Sequence, residues 1–128
     1  MRDAMKRDWD VIREILIIVE EMDAGNYLRL SSFPSERGQE ISYHMDLLME
    51  AGLVSGKMAK TLGRRPHDFR ALRLTWNGHE FLDGIRNDTI WQKTKSSFIS
   101  KGISMTFDLV KSVAADLAST YLKATMSG

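Results

Sequence analysis

Apolar residues recur at helical spacing from the start of the chain. Trp9, Ile12, Ile15, Leu16, Val19 and Met22 share one face of a helix that Asp8 caps and that runs to about Asp23. Arg13, Glu14, Glu20 and Glu21 lie on the opposite side, Ile17 falls off the stripe, and Gly25-Asn26 closes the helix. Tyr27-Leu28-Arg29-Leu30 alternates weakly and predicts a short strand. Ser31 to Gln39 is rich in turn formers, and Pro34 and Gly38 allow at most a short or distorted helix there. A stronger pattern follows from Ile41 to Val54 (ISYHMDLLMEAGLV). At 100° per residue His44, Met45 and Leu48 fall on the side of Ile41, Leu47 and Ala51 flank it, and Ser42, Tyr43, Asp46 and Glu50 point the other way. Gly52 suits a left-handed helix end, with Leu53 packing back on the last turn.

Leu53-Val54 opens a strand, and Lys57 to Asp68, with Gly63 and Pro66, reads as an extended loop. Phe69 to Thr75 returns as a strand in which Phe69, Ala71 and Arg73 alternate against Arg70, Leu72 and Leu74. Thr75 caps a helix through about Arg86 with Phe81, Leu82 and Ile85 on one side. Asp88 caps the next, in which Ile90, Trp91, Thr94 and Phe98 share a face until Gly102. Thr106 to about Thr125 forms a last amphipathic helix striped by Val110, Val113, Ala114, Leu117, Tyr121 and Ala124. Trp76 and Trp91 are read as core aromatics. The predicted class is mainly α with a small β-hairpin (α+β).

Composition narrows this little. The chain has 128 residues, 43% of them hydrophobic and 27% charged, which suits one ordinary soluble domain. It holds no cysteine, which excludes disulfides, thiolate metal sites and cysteine catalysis. No apolar run approaches the roughly 18 residues that span a membrane, and the first ten residues lack a signal core, so a cytoplasmic location is expected. The distribution of charge says more than its net value of +1. Residues 1–56 carry eleven acids and six bases, whereas residues 57–73 carry six bases (Lys57, Lys60, Arg64, Arg65, Arg70, Arg73) against Asp68. A clustered positive charge is what phosphate binding requires.

The order of helix, short strand, weak helix, strong helix, strand, basic loop, strand and helices is similar to that of a winged helix-turn-helix. ISYHMDLLMEAGLV resembles the recognition-helix segment of arsenic-repressor-like and multiple-antibiotic-resistance-repressor-like regulators, which read Val-Ser-x-His-Leu, then Leu, then Gly-Leu-Val. Leu74-Thr75 with Gly78 resembles the Leu-Thr-x-x-Gly step after their wing. Three blocks together, MKRDWDVIREIL, ISYHMDLLMEAGLV and RLTWNGHEFLDGIRNDTIWQKTK, resemble a family of short bacterial and phage proteins of unknown function with a winged-helix pattern. The resemblance implies a winged-helix core over residues 1–102, a wing at about 55–73 and extra C-terminal helices. It implies no activity.

On this reading double-stranded DNA is the expected partner, and the role is that of a transcription regulator. Gln39, Ser42, Tyr43 and Asp46 would face the major groove, and Lys57, Lys60, Arg64, Arg65 and Arg70 would reach phosphates or the minor groove from the wing. Asp46 and Glu50, preceded by Glu36 and Glu40, oppose DNA at the helix face, so a protein-interaction module on the same fold is the alternative. Residues 103–128 are expected to make a homodimer through Val110, Val113, Leu117 and Tyr121. His44, His67 and His79 lack the spacing of metal ligands, and His44 reads as a hydrogen-bonded core residue. His79, Glu80 and Asp83 are within a turn of each other without a visible pocket. No metal, no cofactor and no catalysis are expected.

Overall fold

A computed structural model describes residues 6–60, 62–63 and 66–126. Its elements are α1 (Trp9–Glu20), α2 (Gly38–Glu50), β1 (Val54–Ala59), β2 (Asp68–Leu74), α3 (Trp76–Ile85), α4 (Asp88–Lys101) and α5 (Phe107–Met126). The chain is therefore mostly helical with one antiparallel hairpin, β1 against β2. It divides into two units: the first ends at His79 and the second begins at Glu80.

In the first unit Asp8 caps α1 by accepting from the backbone N–H of Asp10 and Val11. The buried face is Trp9, Val11, Ile12, Ile15, Leu16 and Val19, with Val11 added to the residues the periodicity indicates. The predicted strand at 27–30 is reduced to one antiparallel bridge, in which Leu28 and Ala71 exchange both backbone hydrogen bonds. Two 3₁₀ turns follow, Leu30–Ser32 and Ser35–Arg37, the second entered through Pro34. This stretch thus yields turns, where a full helix would need a backbone donor that Pro34 lacks.

Helix α2 starts at Gly38, ahead of the apolar stripe, where a Cβ would stand 3.2 Å from the Pro66 ring. Its inner face, Ile41, His44, Met45 and Leu48, is buried as the pattern predicts. Its end is a double-bonded left-handed cap. Gly52 (φ 74°) donates to the Met49 carbonyl and Leu53 to that of Leu48, while the Leu53 side chain is buried. Two polar links join α1 to α2. His44 donates from Nδ1 to the Glu40 carbonyl and accepts at Nε2 from the Asp8 N–H, each at 2.8 Å, which requires the neutral Nδ1–H form. Arg37 makes two 2.8 Å bonds to Glu14 and a 3.0 Å bond to Glu40.

The hairpin corrects the expected loop at 57–68: Lys57, Met58 and Ala59 belong to β1 and pair with Arg70, Phe69 and Asp68. The strand alternation is also corrected. Ser55 pairs with Arg73 but Gly56 pairs with Ala71, so Leu72 is an extra residue in β2. This bulge flips the following side chains, burying Leu74 with Phe69 and Ala71 and leaving Arg73 exposed. Gly56 lies so close to β2 that a Cβ would collide with the Arg70 carbonyl oxygen. After β2, Thr75 accepts from the Gly78 N–H and donates to the Gly52 carbonyl, and a Cβ on Gly78 would collide with the Leu53 oxygen. The Leu-Thr-x-x-Gly step thus seats the start of α3 on the end of α2.

In the second unit Phe81, Leu82 and Ile85 of α3 are buried, with Phe81 stacked on Phe107 at 4.7 Å. Asn87, not Asp88, caps α4 by accepting from the Ile90 N–H. Ile90, Trp91, Thr94 and Phe98 are buried, and Gly102 (φ 63°) ends the helix. Helices α4 and α5 pack together across a short connection. Trp91 is a core residue as expected, but Trp76 is 77% exposed and is not.

Candidate nucleic-acid interface

The residues expected to face a DNA groove do not form one open surface. Ser42 is 4% exposed. Its hydroxyl donates to the His67 carbonyl (2.8 Å) and accepts from the His67 N–H (3.0 Å), pinning the hairpin's descending arm to α2. This corrects the outward orientation expected of Ser42: helical spacing places it near the boundary, and the arm covers it. Gln39 is exposed, and Tyr43 is half-buried with its ring edge-on to His44 at 5.4 Å. Asp46 lies 3.1 Å from Lys60 Nζ, so one expected helix contact and one expected wing contact engage each other. Arg64 and Arg65 lie outside the described residues.

Above this, the hairpin turns a cationic face outward. Lys57 and Arg70 are exposed and directly opposite each other in the ladder. Cross-strand partners project to the same face, while the neighbouring pair Met58–Phe69 turns to the core. The Arg70 guanidinium sits 4.7 Å over the Tyr27 ring. Arg29 approaches Asp68 Oδ2 at 3.4 Å, while Asp68 Oδ1 accepts from the backbone N–H of Leu30 and Phe69. Those two N–H groups, with Arg29 beside them, hold the Asp68 carboxyl below the usual carboxylate range. Arg37 does the same to Glu14.

Tyr27, Arg29, Lys57, Arg70 and Leu72 line a shallow depression of about 770 Å³ over this face. Tyr27 and Arg29 are absent from the expected contacts. They come to the hairpin only because Leu28 bridges Ala71, a pairing across more than forty residues that no local pattern reveals.

The expected dimerisation stripe is corrected at one position. Val110 is 0% exposed and is spent in the fold, whereas Val113 and Leu117 are half-buried and Tyr121 is 50% exposed. Among the described residues no group of three His, Asp or Glu side chains could hold a metal ion. His79 lies 3.5 Å from Glu20, and Asp83 binds Arg86 at 2.7 Å. No described helix is long and apolar enough to cross a membrane.

Comparison with known proteins places these features in a family. The sequence profile described as "Hypothetical protein (DUF2513)" matches residues 6–104. A Haemophilus influenzae protein described as "Uncharacterized protein" is 39% identical over 119 residues, which covers 92% of this chain and 99% of that relative. No solved structure matches.

Proposed function

The chain belongs to the family described as Hypothetical protein (DUF2513), and from its geometry we propose that it is a DNA-binding, regulator-like protein with a winged helix-turn-helix core. The element order supports the core. The bridge at Leu28 lies on β2, giving the spatial order Leu28, β2, β1, and the turns at 30–37 stand where the first helix of the motif belongs. The observation that carries the DNA reading is the Lys57–Arg70 pair. Like charges directly opposite each other destabilise a ladder, and among the described residues neither has an acidic ion-pair partner. An anionic ligand on that face removes the repulsion. The proposal gives the chain no catalytic role, since the histidines and carboxylates near one another are engaged in structural pairs.

A second reading, a protein-interaction module, is favoured by the α2 face itself. Ser42 is withdrawn, Asp46 is tied to Lys60, and Glu36 and Glu50 stay exposed. In either case α5 supports a two-fold homodimer, because its outer half is uncovered. Anisotropy titration of random-sequence duplex DNA separates the readings. Affinity is expected to fall by orders of magnitude between about 50 and 200 mM salt, and the double variant Arg64→Ala/Arg65→Ala to bind far more weakly at low salt. A wild-type chain that binds no duplex in a salt-dependent way overturns the DNA reading and leaves the protein module.

A further inference from the structure

We propose that the depression on the hairpin's outer face is a phosphate-binding site, built from Lys57, Arg70 and Arg29 with the Tyr27 ring as its apolar wall. The ligand chemistry is a phosphate ester beside a flat apolar group. It is either a phosphodiester of a nucleic-acid strand, in which case the site rests on the DNA-binding reading above, or the phosphate of a free nucleotide.

Several observations converge on this face. Lys57 and Arg70 are ladder partners on one side of the sheet, so their charged ends address the same volume. Arg70 holds its guanidinium carbon 4.7 Å over the Tyr27 ring, which keeps at this face a planar donor group able to meet two phosphate oxygens. Arg29 reaches Asp68 through a single 3.4 Å contact with its side chain 55% exposed, so it can share its charge with a ligand. Asp68, the acid of this face, has Oδ1 committed to two backbone N–H groups and Oδ2 to Arg29, which leaves a positive excess. The depression, about 770 Å³, falls in the range of roughly 300–1,000 Å³ typical of small-molecule sites. Leu72, half-exposed at the bulge, extends its apolar wall beside the charges.

If this face and not α2 takes the phosphates, binding is tolerant of sequence, because phosphate contacts position a strand without reading it. The test titrates the full chain with inorganic phosphate, with a 5′-mononucleotide and with a random-sequence duplex, following backbone amide and arginine Nε resonances. Shifts are expected at Tyr27, Lys57 and Arg70. The double variant Lys57→Ala/Arg70→Ala is expected to bind duplex at least about tenfold more weakly, with the slope of log K against log salt reduced by about two. Arg70→Lys, which keeps the charge and loses the planar fork, is expected to fall between the two, and Lys93→Ala/Lys101→Ala to match wild type. Removing a like-charge pair leaves the fold intact, and circular dichroism melting of each variant checks this. Duplex binding with an unchanged slope in the double variant overturns the site while leaving the DNA reading standing. No duplex binding, but nucleotide shifts at Tyr27 and Arg70 that vanish in the double variant, keeps the site and overturns the DNA reading. Silence with all three probes overturns both.

Discussion

Asp68 ties the segment around Leu30 to the strand that it begins. Its carboxylate holds the N–H groups of Leu30 and Phe69 and faces Arg29, so the bridge at Leu28 depends on it. The folded-state carboxyl is held below its usual range, and so is that of Glu14. A depressed carboxylate adds stability that is fully present above its unfolded pKa, near about 4, and that is lost as pH falls through the lower folded value. From these two carboxylates, melting temperature is therefore expected to drop as pH falls below about 4. Asp68→Asn keeps an acceptor for both N–H groups and is expected to soften that drop, whereas Asp68→Ala should destabilise at every pH. An Asp68→Asn chain with the acid sensitivity of wild type would remove this carboxylate from the account. Two glycines give a contrasting pair. At Gly56 the space of the missing Cβ is taken by the Arg70 carbonyl, so Gly56→Ala is expected to cost at least about 2 kcal/mol. At Gly84, exposed within α3, nothing lies within 4 Å of a Cβ, and Gly84→Ala is expected to add about 0.5–1 kcal/mol. Urea midpoints of the two variants should move in opposite directions.

At the scale of elements, α2 shows what periodicity carries and what it omits. Its inner face and its glycine end follow from spacing alone, because Ile41, Met45 and Leu48 have a helical period and Gly52 is the residue that reaches positive φ without strain. What it omits is set by distant chain. Ser42 is buried by the arm at His67, and the hairpin bulge at Leu72 reverses the sidedness of Leu74, since a strand's period of two fails at one extra residue. For the same reason the candidate site is only half legible in the sequence. Its Lys57 and Arg70 stand out as local basic charge, but their alignment with Tyr27 and Arg29 depends on a register no local pattern encodes. The junction of α1 with α2 is a comparable long-range feature, resting on the paired bonds from Arg37 to Glu14. A double-mutant cycle on Arg37→Ala and Glu14→Ala is expected to give a coupling of about 1 kcal/mol, reflecting paired geometry at a partly exposed site. Arg37→Lys, which cannot make both bonds, should keep less than about half of it.

For the whole molecule, the proposed homodimer rests on the length of α5. It has 20 residues against 14 in α4, about 30 Å against 21 Å, so its partner in the hairpin of helices cannot cover it to the end. Burial follows that arithmetic. Val110 and Ala114 are buried, Val113, Leu117 and Ala118 are half-buried, and every described residue from Ser119 on is exposed. The uncovered part carries Tyr121, Leu122 and Met126, with Lys123 its one charge among the described residues. An isolated helix of so few turns is marginal in water, and a second copy that packs its own uncovered half against this one would both bury the apolar groups and hold the turns in place. The expected outcome is a chain that elutes with twice its monomer mass in light scattering. Tyr121→Asp/Leu122→Asp is expected to make it a monomer with an unchanged melting curve at low concentration, since neither side chain contributes to the core. The stripe position Val110 behaves differently: Val110→Ala should destabilise the fold by about 1–3 kcal/mol without changing the mass. A full-length chain that is monomeric at all concentrations, or an aspartate variant that stays dimeric, sinks the assignment of α5 as the interface.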